Sequence, residues 1–153
     1  MLRSTASFKK LSFLFLAFCM IFLLAAPLQA SAKPRDEPKK PGKLTLSSLY
    51  YEVNENQGSI TITVHRIGGK DGVVSVKYCN CSLTAKAGED FNHVSGVLVF
   101  GDGETKKTIT VPIVDDSKPE SPEGFSVYLK EPTGGATLGL FASFVTIRDN
   151  DKK

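Results

Sequence analysis

The chain has 153 residues, 41% hydrophobic and 23% charged, with a formal charge of +3, which makes one small domain the default and is too apolar for disorder. The excess charge is local: Arg3, Lys9 and Lys10 account for all of it, and residues 33–153 carry 16 basic and 16 acidic side chains. A nucleic-acid binder needs a basic footprint that this balance lacks, and two His, three Cys and no Trp do not furnish a redox or zinc enzyme.

The three N-terminal cations precede an uncharged apolar run over residues 11–26, which Pro27 ends, and Ala30-Ser31-Ala32 follows. A charged start, a short apolar stretch and an A-x-A site describe a secretory signal peptide. The run of 16 residues is shorter than the ~20 that span a bilayer. The reading is therefore export, secreted or periplasmic/cell surface, with cleavage after Ala32; the membrane enters only if this segment stays uncleaved as an anchor. Residues 33–43 (KPRDEPKKPGK) hold three Pro and seven charges, and read as a basic, solvated linker with nothing to bury.

Residues 44–151 alternate with a period of two. The apolar sets are Ile60, Ile62, Val64; Val74, Val76, Tyr78; Leu98, Phe100; Ile109, Val111, Ile113; Phe125, Val127, Leu129; and Val145, Ile147. Short runs rich in Val, Ile and Thr with this spacing predict strands with one buried face. An earlier segment, residues 44–53, alternates with a slip at Ser47-Ser48, which predicts a bulge or a split edge strand. Turn clusters at Gly68-Gly69-Lys70-Asp71-Gly72, Gly101-Asp102-Gly103 and Pro132-Thr133-Gly134-Gly135 separate the runs. The expected fold is all-β: an immunoglobulin-like antiparallel sandwich of about seven strands.

If each strand reverses the last, alternate loops share one end. Glu55 follows the first strand, Asp90 follows the third, Asp115, Asp116, Glu120 and Glu123 follow the fifth, and Asp149 and Asp151 follow the seventh. Eight of the domain's 14 acids thus fall at one end, from four separate segments. Carboxylates gathered without matching cations repel one another, and a hard cation taking six to eight oxygens relieves that repulsion. Calcium tolerates such irregular geometry better than magnesium. Acidic loops that are merely solvated are the commoner case, so this convergence carries weight because it draws on several loops.

The same residues carry a resemblance. Val53-Asn54-Glu55 with Gly58, Ile60 to Arg66 with Gly68-Gly69, Thr84-Ala85 with Ala87-Gly88 and Asp90-Phe91, Gly96 with Leu98 and Phe100, Gly103-Glu104-Thr105, Asp115-Asp116, Gly134-Gly135-Ala136 and Asp149-Asn150-Asp151 together resemble the Calx-beta domain, the calcium-binding sandwich of sodium–calcium exchangers. The resemblance implies Ca2+ ligands at Glu55, Asp90, Asp115, Asp116, Glu120, Glu123, Asp149 and Asp151. It departs from the family at Leu83, where Gly is usual, and at Asn150, where a further acid is frequent; Leu83 implies a differently shaped turn before Asp90, and with it a different number of ions.

Cys79 and Cys81 fall in that expected turn. A strained local bridge, a disulfide-linked dimer through Cys79 or Cys81, and two inert thiols are the open readings. A zinc site with His93 lacks a fourth ligand. Asn80-Cys81-Ser82 also matches a glycosylation sequon. Catalysis finds no constellation: His65 alternates outward from its strand, and His93 has no nucleophile motif beside it. The functional expectation is a non-enzymatic exported calcium-binding module for adhesion, cell communication or cell-surface interaction with a protein or glycan partner. The alternative is a metal-independent structural or ligand-binding sandwich.

Overall fold

A computed structural model describes residues 37–151; the signal segment, the first four linker residues, Lys152 and Lys153 lie outside the described residues. Among the described residues nine strands form: β1 (Lys43–Leu46), β2 (Tyr50–Asn54), β3 (Ser59–Ile67), β4 (Val74–Ser82), β5 (Ser95–Phe100), β6 (Lys106–Pro112), β7 (Glu123–Lys130), β8 (Thr137–Leu138) and β9 (Ala142–Arg148). They make two sheets, ordered β6-β3-β1-β8 and β2-β9-β7-β4-β5. The two-sheet sandwich stands as expected.

Alternation sets the core. In the first sheet Ile62 lies opposite Ile109 and Ile60 opposite Val111. In the second, Val76 lies opposite Leu98 and Phe125 opposite Val145. Leu44, Ile62, Val64, Val76, Phe91, Phe100, Val111, Phe125 and Val127 are fully enclosed between the sheets. Every buried apolar side chain of this cluster lies between Leu44 and Ile147, so the compact unit of residues 38–153 carries its own core and is large enough to fold alone.

The slip at Ser47-Ser48 is where the first strand changes sheets. β1 pairs antiparallel with β3, and β2 pairs with β9. The serines replace ladder bonds locally: Ser48 Oγ donates to Tyr50 O at 2.8 Å, and Ser143 Oγ donates to Ser48 O at 2.5 Å. Switching sheets reverses no direction, so β2–β9 and β1–β8 are parallel pairs within an otherwise antiparallel sandwich.

Two further differences matter. Lys40 to Lys43, the end of the expected linker, are fastened to the domain. Lys40 N donates to Asp71 Oδ2 at 2.8 Å, and Arg66, 2% exposed, donates to the carbonyls of Pro41, Gly101 and Asp71 at 2.7, 3.1 and 2.8 Å. Gly42, at φ +86°, lies so close to this loop that a Cβ would meet Gly69 O at 2.3 Å. Secondly, Cys79, Asn80 and Cys81 are not in a turn; they continue β4. Asn80 points inward, accepting from Val94 N at 2.9 Å and donating to Asn92 O at 3.0 Å. Those bonds let a polar side chain extend the strand into the core.

Candidate metal centre

The loops after β2, β4, β6 and β9 meet at one end, and each holds its acids by a local device. Glu55 opens a single 3-10 turn (Glu55–Gln57), whose Gln57 Oε1 accepts from Asn54 N at 2.9 Å and which Gly58 ends in the left-handed region. The turn tucks Glu55 inward until only 6% of it is exposed. Asp90 is placed by its neighbour: Phe91 is fully buried and stacked on Phe125, ring centroids 4.3 Å apart. The backbone bridges Phe91 to Ala87 and Ile113, while Lys86 N donates to Asp90 Oδ2 at 2.6 Å. Leu83 raises no obstacle, because among the described residues Glu131 alone has a positive φ without being glycine.

Six of the eight expected acids assemble into two triads, Glu55–Asp149–Asp151 and Asp90–Glu120–Glu123, with carboxylate oxygens within 4.8 Å of one another in each. Glu120 N donates to Asp149 Oδ2 at 2.5 Å, tying the triads together, and Asp151 N donates to Asp149 Oδ1 at 2.6 Å. Those two backbone donors hold the Asp149 carboxyl below its usual range. Burial, reinforced by the negative charge of Asp149, pushes Glu55 up to about 7. Burial likewise raises Glu123, reinforced by the neighbouring Asp90 carboxylate. Each triad therefore contains a carboxyl that holds a proton more tightly than usual, chiefly because burial disfavours its charged form, with neighbouring carboxylates adding to the effect.

One oxygen has no such relief. Asp151 Oδ2 is buried and has no hydrogen-bond partner among the described residues, although buried polar atoms are almost always satisfied. Near it, Asn150 Nδ2 approaches Glu55 Oε1 at 3.4 Å. Clustered carboxylates, one oxygen of which is buried without a donor, fit a hard, oxygen-seeking cation; no sulfur or imidazole belongs to either triad. Ser121 and Ile147 also line the hollow between the triads. Sequence reasoning passed over both: a serine in an acidic loop and an apolar residue in a strand carry no metal-ligand signal.

Asp115 and Asp116 belong to neither triad. Asp116 is engaged by Lys118, whose N and Nζ lie 2.7 and 3.1 Å from its carboxyl oxygens, and these contacts lower its pKa. The remaining candidates do not assemble. Cys79 and Cys81 are free thiols on the outer face of β4, so no bridge joins them. Among the described residues the zinc set with His93 is not gathered. Asn80, 1% exposed and doubly hydrogen-bonded, is inaccessible to glycosylation in the folded domain.

Known proteins share this sandwich. The Calx-beta domain family profile matches residues 37–151. Adhesion G-protein coupled receptor V1 of Danio rerio is 38% identical over 98 residues, 64% of this chain and 2% of the receptor. Sodium/calcium exchanger 2 of Homo sapiens is 32% identical over 131 residues, 85% of this chain and 14% of the exchanger; the chain thus spans a small part of each relative. The crystal structure of the apo form of the Calx CBD1 domain superposes with a TM-score of 0.68 at 30% identity, covering 71% of this chain and 99% of that domain. The calcium binding domain CBD12 of CALX1.1 superposes at 0.69 with 31% identity, over 71% of this chain and 45% of that one. With the profile spanning the whole described sandwich, the chain belongs to the Calx-beta domain family.

Proposed function

We propose that the acidic end binds calcium, and that the ion stiffens the loops of an exported, non-catalytic module that works at the cell surface. The buried, unpartnered Asp151 Oδ2 beside Glu55 and Asp149 carries the reading, since a cation supplies the charge and contacts that this oxygen otherwise lacks. The family relationship to sodium/calcium exchangers and to a domain described as calcium binding supports it. Glu55, Asp149, Asp151, Asp90, Glu120 and Glu123 are the ligands proposed. Asp115 and Asp116 supply negative potential from the same loop and act as outer members of the set. Export through the N-terminal signal, and a role in adhesion or cell communication with a protein or glycan partner, complete the proposal. Recovery of a mature chain beginning at Lys33 from outside the cytoplasm tests the export; recovery of intact Met1 in a membrane fraction refutes it.

Melting in calcium against chelator, at matched ionic strength and with magnesium as control, tests the binding. A ligand held only by the folded state adds about 2.7 kcal/mol at a hundredfold excess over its dissociation constant, which for a domain of this size is a shift on the order of 10 °C. Asp151→Asn should remove most of that shift, whereas Asp116→Asn should leave most of it. Equal melting in calcium and chelator refutes the proposal and leaves the metal-independent module.

A further inference from the structure

We propose that the open edge of β5 pairs with the β5 edge of a second copy of this chain, joining two five-stranded sheets into one continuous sheet. β5 ends the order β2-β9-β7-β4-β5. Its bonding phase follows from β4: Asn80 N donates to Val94 O at 3.1 Å, and pairing then continues through Tyr78 with Gly96, Val76 with Leu98 and Val74 with Phe100. Antiparallel ladders alternate, so the N–H and C=O of Ser95, Val97 and Val99 point away from β4. Among the described residues nothing meets them.

The other edges are protected in the ways proteins normally protect them. β6 carries Lys106, Lys107 and Pro112. β2 carries Glu52, ion-paired with Arg148, and β8 is two residues long. β5, Ser95-Gly96-Val97-Leu98-Val99-Phe100, has no charge, no proline and no bulge. Val97 and Val99, 53% and 51% exposed, turn their side chains to the outer face of the sheet, while their unpaired backbone groups lie along its edge.

Self-pairing is the occupant this edge fits. An antiparallel two-fold centred on Val97 sets Val97 against Val97 and Ser95 against Val99 of the second copy. Every outward N–H and C=O of those three residues then finds a mate, and no like charges face one another. A lysine at the centre of the edge, in place of Val97, would oppose itself in the same arrangement. The apolar side chains meet on the outer face, while Leu98 and Phe100 stay in their own core.

Sedimentation velocity on the 38–153 unit, from micromolar to millimolar, tests this, with reducing agent present so that Cys79 and Cys81 cannot link copies. Amide exchange supplies the location. Wild type should double in mass as concentration rises, and the amides of Ser95, Val97 and Val99 should slow by about tenfold in the dimer, reflecting newly bonded groups. Val97→Lys, at an exposed position, should melt like wild type yet stay monomeric with those amides fast at every concentration. Wild type that remains monomeric at millimolar concentration overturns the inference and leaves the edge to an extended segment of another protein. A dimer that survives Val97→Lys, or forms without protecting those three amides, overturns it in favour of a different face. Neither outcome depends on calcium, so the metal proposal is judged separately.

Discussion

Phe91→Ala separates the packing of the domain from the assembly of its acidic end. The ring is 0% exposed and lies on Phe125 at 4.3 Å between centroids with 18° between planes. Truncating such a ring costs about 3–5 kcal/mol, the cavity included, and the stacked pair itself accounts for about 1 kcal/mol of that. In a domain of this size the melting temperature should fall by about 15 °C or more. The same change unfastens the loop that presents Asp90, because the bridges of residue 91 to Ala87 and Ile113 lose the side chain that anchors them. Urea unfolding in chelator and in calcium reads both effects: a large loss of stability in chelator, and a calcium increment smaller than that of wild type. Phe91→Leu, which keeps an apolar anchor, should lose less stability and retain most of the calcium increment. A loss below about 1 kcal/mol for Phe91→Ala would refute the packing argument, since it is less than the transfer cost of the ring alone. A large loss with an unchanged calcium increment would show that the Lys86–Asp90 turn positions the carboxylate without help from Phe91.

Glu55 makes the metal-free domain pH-dependent: its carboxyl is raised from 4.5 to about 7 in the fold, so the folded state holds the proton more tightly. That contribution is complete below about 4.5 and is lost as pH rises through about 7; melting in chelator should therefore decline across this window for wild type and flatten for Glu55→Gln. Arg66→Met should cost about 3 kcal/mol or more by urea unfolding, because the carbonyls of Pro41, Gly101 and Asp71 lose charge-assisted donors in a buried setting; wild-type stability in the variant would refute the clamp. Gly134→Ala should destabilise sharply in a thermal melt, since a Cβ there would lie 2.3 Å from Val73 O on a backbone at φ +67°; an unchanged melting temperature would contradict that close approach.

The sandwich was legible because period-two alternation is a local property that burial rewards directly. Ile60-Thr61-Ile62-Thr63-Val64 has a clear strand reading with one face inside, and β3 takes it, with Ile62 and Val64 fully buried. The grouping of the acids was legible for a related reason: with β1–β2 and β8–β9 each keeping one direction, the chain alternates as seven strands and brings the loops after β2, β4, β6 and β9 to one end. What parity does not specify is distance. Asp115 and Asp116 share a loop with Glu120, yet Asp116 turns to Lys118, and neither joins a triad. The Cys79–Cys81 segment, expected in a turn, continues β4 although Asn80 breaks the apolar alternation of Val74, Val76 and Tyr78; its inward hydrogen bonds are made with Asn92 and Val94, residues more than ten positions away.

By itself, then, the sequence determined the strand pattern, the family resemblance and the end of the domain at which negative charge collects, because each rests on periodicity or order along the chain. Only the tertiary structure decided which carboxylates meet, that β1 and β2 divide between two sheets, that Arg66 fastens residues 40–43, and that Asp151 Oδ2 lies buried without a donor. Those outcomes depend on packing between segments distant in sequence, where a shift of an ångström or two separates a ligand from a solvated charge.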